Sequence, residues 1–167
     1  MKTPPPRVFI ASDALSAVLA AHDTAASGSK EPCGLALGGF SEGRIRVDEV
    51  RVLDNVHSAP DRAFLLPAAG AVAAVRKARE RGLSVVGVWH GHLRGSSRLS
   101  ESDAAGLASA SKGAGAEGKP SDVAYVFLVS GAGAGRGRVV RAFVHHRGKP
   151  REVRLDAQRR KPAVAKP

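Results

Sequence analysis

The sequence predicts a mixed α/β domain in which helices flank a largely antiparallel sheet. Short runs rich in β-branched residues alternate with segments whose apolar residues recur at helical spacing, in the order β-α-β-β-α-β-α-β-β. Two of these runs, 33–40 and 45–53, are separated by turn residues at 41–44 and predict an antiparallel hairpin. Strands and helices interleaved in this way favour one sheet covered by helices over a helical bundle or an all-β barrel.

The first half of the chain begins with a predicted strand over 7–11. Ser12 is a typical N-cap and opens a helix over 12–21 with an apolar stripe. Small residues at 24–30 predict a loop before the hairpin. Residues 54–66 follow the hairpin without any period and predict a second loop.

The clearest helix follows over 67–81, with Pro67 at its start and Gly82 as its stop. The apolar run 83–89 predicts a buried strand that leads directly to His90. The remaining predicted elements are a loop at 93–99, a helix over 100–110, a loop over 111–121, strands over 122–130 and 138–145, and an edge strand near Val153 and Leu155.

Length and composition favour one domain, assigned to residues 1–156, and a basic disordered tail at 157–167. The chain has 167 residues, 43% of them hydrophobic, which is enough to form a core. Its net charge is +11, and the segment 147–167 contributes eight Lys/Arg against two acidic residues. A solvated tail explains this charge, and weak nucleic-acid contact through the tail is the alternative.

Several classes of protein are excluded by what the sequence lacks. The single cysteine, Cys33, excludes an intramolecular disulfide and a Cys-rich zinc ribbon, and we expect it to be a small buried apolar residue. No apolar run approaches the roughly 20 residues of a membrane helix, and the N-terminus lacks a secretory signal pattern. We therefore expect a cytoplasmic protein with no membrane partner.

The most informative motif is His90-x-His92, followed by Ser100-x-x-Asp103. A strand places residues i and i+2 on one face, so the two imidazoles can converge on one ion, with a carboxylate from the following helix. Two histidines and one aspartate suit zinc and leave a fourth position for water. Simpler interpretations exist for each part. Histidine pairs on strands are often structural, and Ser100 with Asp103 is also a helix capping box.

A hydrolytic metal site also needs a group that moves protons, and Glu31 is the candidate. It precedes the hairpin strand 33–40, which is able to lie beside the strand that ends at His90. Taken alone, Glu31 is an ordinary exposed loop carboxylate. Arg94 and Arg98, between the histidines and the next helix, are either solvated or able to hold a substrate carboxylate.

Four separated segments together resemble the JAMM/MPN metalloprotease family, specifically its compact bacterial branch: residues 31–38, 55–67, 86–92 and 100–103. The resemblance implies a deaminase-like α/β fold and one zinc ion per chain, held by His90, His92 and Asp103. It further implies that Glu31 is the general acid/base and that Ser100 stabilises the oxyanion.

The substrates that this resemblance implies are adducts on the C-terminal Gly-Gly of ubiquitin-like proteins, which in bacteria include sulfur carriers. Two positions depart from the family pattern: Gly91 stands where Ser or Thr is usual, and Leu93 where Pro is usual. Neither removes a metal ligand, so the departures concern loop shape and substrate fit. Iron or cobalt suits the same ligands as zinc.

Two further hypotheses stay open beside catalysis. One is a non-catalytic MPN-like binding module, although such relatives typically lack the metal ligands that this chain has. The other is nucleic-acid association through the tail. The zinc deaminases are excluded, because their Cys-containing ligand pattern is absent. The sequence specifies neither the individual substrate nor the oligomeric state, and it shows no partner spacing for His22 or His57.

Overall fold

A computed structural model describes residues 4–114, 125–135 and 137–159 of the chain, which form eight strands and three helices. In chain order these are β1 (Arg7–Ala11), α1 (Ser12–Ala25), β2 (Cys33–Ser41), β3 (Arg44–Leu53), α2 (Ala68–Glu80), β4 (Ser84–Ser96), α3 (Glu101–Ala114), β5 (Val126–Ala132), β6 (Arg138–His146), β7 (Lys149–Val153) and β8 (Leu155–Gln158).

The strands form one mixed sheet in the order β7-β6-β5-β4-β2-β3-β1-β8. Four of its seven pairings are antiparallel; the pairs β1–β3, β1–β8 and β4–β5 are parallel. The predicted fold class is confirmed, as is the hairpin of β2 and β3, whose register runs from Cys33 opposite Leu53 to Ser41 opposite Arg44. In the described parts of the chain, no helix has the length and apolar character needed to cross a bilayer.

The helices lie on both faces of the sheet. α1 packs through Ala14 and Val18 on the face that carries Trp89. α2 and α3 cover the other face, where Ala78 and Leu107 are buried against sheet residues. The core is built almost wholly from Val, Leu, Ile and Ala, as the scarcity of aromatic residues requires.

The C-terminal strands show how strongly the sheet is curved. One edge strand was predicted near Val153 and Leu155; instead these residues belong to two strands at opposite edges. Because only Arg154 separates them, at most about 7 Å of backbone joins the two outermost strands. The sheet therefore curls until its edges nearly meet. α1 lies on the concave side, where it contacts β1, β3, β4, β5, β6 and β8.

Several predicted boundaries differ from the observed ones. α1 continues to Ala25, because His22 extends its buried stripe by one turn, and α3 continues to Ala114, into the predicted loop. β4 continues through the predicted loop 93–99 as far as Ser96. β8 reaches Gln158, two residues into the predicted tail. The remainder of that tail from 160 onward, and residues 115–124, lie outside the described residues.

Candidate metal centre

Three side chains converge where β4 approaches the start of α3. Trp89 and Gly91 alternate onto the α1 face, so His90 and His92 both project from the opposite face of β4. Their Nε2 atoms are 3.0 Å apart. Asp103, in the first turn of α3, places Oδ1 3.1 Å from His90 Nε2 and Oδ2 3.2 Å from His92 Nε2.

Asp103 is held in place by a capping box. The backbone N–H of Ser100 donates to Asp103 Oδ2 at 2.9 Å, and the backbone N–H of Asp103 donates to Ser100 Oγ at 3.1 Å. This reciprocal pair satisfies two N–H groups at the helix start, as the sequence predicted. The cap and the convergence with the histidines coexist, because the carboxylate has enough lone pairs for both.

The two imidazoles are oriented in different ways. His92 Nδ1 lies 2.8 Å from the backbone carbonyl of Ser96, which only accepts, so Nδ1 carries a proton and Nε2 is the ring nitrogen that faces Asp103. His90 is fully buried, and among the described residues its Nδ1 has no hydrogen-bond partner. Its ring instead stacks on Phe64, with centroids 4.5 Å apart and planes at 19°.

The charges of the cluster reinforce one another. Burial acts to raise the pKa of Asp103, but hydrogen bonds from His90, His92 and Ser100 outweigh it and hold that pKa well below its usual range. The hydrogen bond to Asp103 is the main reason that the pKa of His92 is raised. The ionised carboxylate and the two Nε2 atoms beside it form a donor set that suits a cation, which on binding displaces the imidazole protons.

The residues present fit a metal ion. One ligand atom from each of His90, His92 and Asp103 lies within 4.8 Å of the others, and His92 and Asp103 line a cleft. Two imidazole nitrogens and one carboxylate oxygen match the donor set of catalytic zinc sites, which keep a further position open. The same donors suit other divalent transition metals, so the geometry indicates a metal site without fixing the element.

Glu31 lies in the same cleft, although 59 positions separate it from His90 in the sequence. It directly precedes β2, and β2 pairs with β4 so that Cys33 is opposite His90. Its side chain is buried rather than solvent-facing. Burial raises the pKa of Glu31 to about 7, with Asp103 adding to the effect and His92 opposing it. A carboxyl group with this pKa both accepts and releases a proton near neutral pH.

The cleft has a volume of about 400 Å³, within the range of ligand sites. Ser100 and Arg94 line it, whereas Arg98 is exposed and is not among its lining residues. Aromatic walls come from Phe64 and Phe127. The predicted site residues are thus brought together, with Arg98 left at a distance from the cleft.

Residues that the sequence did not single out build one wall of the cleft. Asn55 is buried, and its amide donates to the carbonyls of Glu31 and Ala63 while its Oδ1 accepts from the N–H groups of His57 and Leu65. These bonds close the loop between β3 and α2, which carries Phe64 onto His90. No local pattern could have revealed Asn55, because its partners are defined only by the folded loop.

A second depression, of about 490 Å³, lies between α1 and the turn joining β5 and β6. Its two charged lining residues, Asp23 and Arg138, form an ion pair with each other. The Gly-rich segment 131–137 joins the paired strands β5 and β6, so its described residues form a hairpin connection and not a phosphate loop. The chemistry is therefore concentrated at the cleft of His92 and Glu31.

Comparisons with known proteins agree with this architecture. The solution structure of protein DSY2949 from Desulfitobacterium hafniense matches with a TM-score of 0.71 at 18% identity, covering 94% of this chain and 97% of that one. The solution structure of a protein from Salinibacter ruber matches with a TM-score of 0.56 at 22% identity, covering 93% of each chain. At these identities the likeness concerns the fold alone. No curated protein matches the chain.

The family comparison covers both the fold and the cleft. Residues 12–145, from the start of α1 to the end of β6, match the model that describes prokaryotic homologs of the JAB domain. This span contains every element that supplies a residue to the metal centre. The chain therefore belongs to the family of prokaryotic homologs of the JAB domain.

Proposed function

We propose that this protein is a JAMM-type zinc metallopeptidase that hydrolyses an amide at the C-terminal Gly-Gly of a ubiquitin-like or sulfur-carrier protein adduct. The observation that carries the proposal is the buried carboxyl group of Glu31 in one cleft with His92 and Asp103, whose ligand atoms converge with that of His90. A merely structural His-His-Asp cluster does not need a second carboxyl group with a pKa near neutrality.

Each residue has a defined role in this proposal. His90, His92 and Asp103 would hold one zinc ion, which supplies Lewis acidity toward water and the scissile carbonyl. Glu31 takes a proton from the attacking water and delivers it to the leaving amine. Ser100 Oγ already accepts the N–H of Asp103, so its own O–H is free to donate to the carbonyl oxygen as negative charge develops there.

The cleft suits a narrow chain end. Two glycines carry no side chains, and a volume of about 400 Å³ between aromatic walls favours an extended tail of that kind. Arg94, at the rim, is placed to bind a carboxylate on the leaving group when that group is a free amino acid. We keep Arg98 as a weaker candidate for the same role, because it is exposed and outside the lining of the cleft.

The test is hydrolysis of defined adducts by the zinc-loaded protein. Ubiquitin-like and sulfur-carrier proteins ending in Gly-Gly, each amide-linked to an amino acid or to a lysine side chain, are incubated with it, and release is followed by intact mass spectrometry. We expect release that stops on chelation and returns with zinc. The Arg94→Gln variant is expected to raise KM for amino-acid adducts but not for isopeptide adducts.

The decisive variant is Glu31→Gln, which keeps the size of the side chain and removes its proton chemistry. We expect it to bind zinc as the wild type does and to lose at least about 100-fold in kcat. Glu42→Gln, an exposed carboxylate in the turn between β2 and β3, is the matched control and should retain full activity. Equal turnover by Glu31→Gln and the wild type would favour a non-catalytic binding module instead.

A further inference from the structure

A buried chain of hydrogen bonds lies directly behind the metal-binding segment of β4. Trp89 Nε1 donates to Ser130 Oγ at 3.0 Å, and Ser130 Oγ lies 2.6 Å from His22 Nδ1. All three side chains are fully buried. Ser130 Oγ accepts from the indole and keeps one proton and a second lone pair, so it bonds to His22 Nδ1 in either tautomer of the neutral ring.

The alternation of the strands explains why these residues meet. Trp89 and Gly91 face α1 from β4, and Ser130, which is opposite Gly91 in the register of β5, faces α1 as well. His22 continues the buried stripe of α1 that begins with Ala14 and Val18. The imidazole thus lies over the backbone that separates the two metal-binding histidines.

Gly91 is the point of contact between this network and the metal strand. A Cβ atom at position 91 would lie 2.7 Å from His22 Nδ1, 2.9 Å from Ser130 Oγ and 2.9 Å from Pro32 Cγ. All three distances are shorter than real Cβ contacts. The backbone has little room to move away, since the N–H of Gly91 donates to the carbonyl of Pro32 at 2.8 Å. Position 91 therefore carries no side chain while His22 occupies this space.

We propose that His22 is a positioning residue for the metal centre. Through its contacts with Ser130 and with the backbone of Gly91, His22 fixes how far β4 projects His90 and His92 into the cleft. The inference rests on the proposed metal-binding role of those histidines. His22 and Gly91 are energetically coupled, because the imidazole makes the closest of the three contacts with a Cβ at position 91 and its removal relieves part of the conflict.

The coupling is tested with Gly91→Ser, His22→Ala and the double variant, each measured as full-length protein. Zinc affinity is determined by competition with a chromogenic chelator, and thermal unfolding of the metal-free proteins is followed in parallel. We expect Gly91→Ser to weaken zinc binding about 10- to 100-fold, as loss of an outer contact of a metal ligand does. The double variant, which also carries His22→Ala, is expected to bind zinc at least about tenfold more tightly than Gly91→Ser alone. Gly39→Ser is the control, since its new Cβ meets only the flexible end of Arg46 at 3.3 Å.

A purely structural role for His22 gives a different pattern. In that case Gly91→Ser lowers the melting temperature, yet the folded protein binds zinc as tightly as the wild type and His22→Ala rescues nothing; this result overturns the inference. If the wild type itself binds no zinc, the proposed function fails. The coupling between positions 22 and 91 is then still measured by whether the double variant melts at a higher temperature than Gly91→Ser.

A milder pair of variants covers the case in which Gly91→Ser does not fold. His22→Asn keeps a hydrogen-bond acceptor near the position of Nδ1, whereas His22→Leu fills similar space without one. We expect near wild-type zinc affinity for His22→Asn and a loss of about tenfold for His22→Leu. Equal affinities in the two variants would contradict a role through Ser130.

Discussion

The buried imidazole of His22 is expected to make stability depend on acid in a defined window. Its side chain has no solvent exposure, and burial lowers its pKa from 6.5 to about 4, with Arg138 adding to the effect and Asp23 opposing it. The unfolded chain therefore binds a proton at a higher pH than the folded one. Stability is fully present above about pH 6.5 and decreases as the pH falls toward 4.

The size of the effect follows from the difference between the two pKa values. Each pKa unit corresponds to about 1.36 kcal/mol, so the shift of His22 amounts to about 3 kcal/mol between neutral pH and pH 4. That is a large part of the 5–15 kcal/mol typical of a domain of this kind. Protonation also gives the ring two N–H groups, and the one on Nε2 has no hydrogen-bond partner among the described residues.

The assay is urea unfolding of metal-free protein, kept in a chelator, at pH 7, 6, 5 and 4. The wild type is compared with His22→Asn, which keeps an acceptor for Ser130 but does not titrate. We expect the difference in unfolding free energy between wild type and variant to change by about 3 kcal/mol over this range. His145→Asn, at the half-buried end of β6, is the control. A difference that stays constant from pH 7 to pH 4 would refute the reasoning.

Three further substitutions test the cleft. Asp103→Asn should keep the fold but reduce the zinc content, measured by elemental analysis, from one ion per chain to near zero. Asp13→Asn, at an exposed position, is the control. Stoichiometric zinc in the Asp103→Asn variant would contradict the proposed ligand set. Phe64→Ala removes the ring stacked on His90. It should lower the free energy of unfolding by about 1–3 kcal/mol and the zinc affinity about tenfold, and Phe64→Leu should give intermediate values. An unchanged zinc affinity would mean that stacking does not orient His90. Asn55→Ala leaves backbone groups of Glu31 and Leu65 without their hydrogen-bond partner. It should lower the free energy of unfolding in urea by about 2–4 kcal/mol and make the loop 54–66 more sensitive to proteolysis. Resistance to proteolysis equal to that of the wild type would show that other contacts hold the loop.

The candidate metal ligands could be predicted because their geometry depends on short-range rules. Two histidines at i and i+2 share a face of any strand, and a Ser-x-x-Asp start caps any helix, so His90, His92 and Asp103 needed no tertiary information beyond one turn between β4 and α3. The departure at Gly91 was visible in the sequence as well. The physical reason for a glycine at position 91 was not visible in the sequence, because the imidazole that fills the space beside it belongs to His22 of α1.

Burial and long-range pairing account for what the sequence did not reveal. His22 lies in a stripe of Ala14, Val18 and His22 at helical spacing, a signal that was present but is weak for a histidine. Ser130, which lies 108 positions away, became its partner only through the parallel pairing of β4 with β5. The two C-terminal edge strands likewise depend on how far the whole sheet curls.

By itself the sequence determined the α/β class, the hairpin of β2 and β3, and the donor set of the metal centre, since each depends on neighbours within a few residues along the chain. Only the tertiary structure decided that Glu31 is buried with a raised pKa, that Phe64 stacks on His90, and that His22 lies behind β4 against Ser130. Desolvation and close packing are properties of how distant segments meet. No local pattern of residue types specifies them.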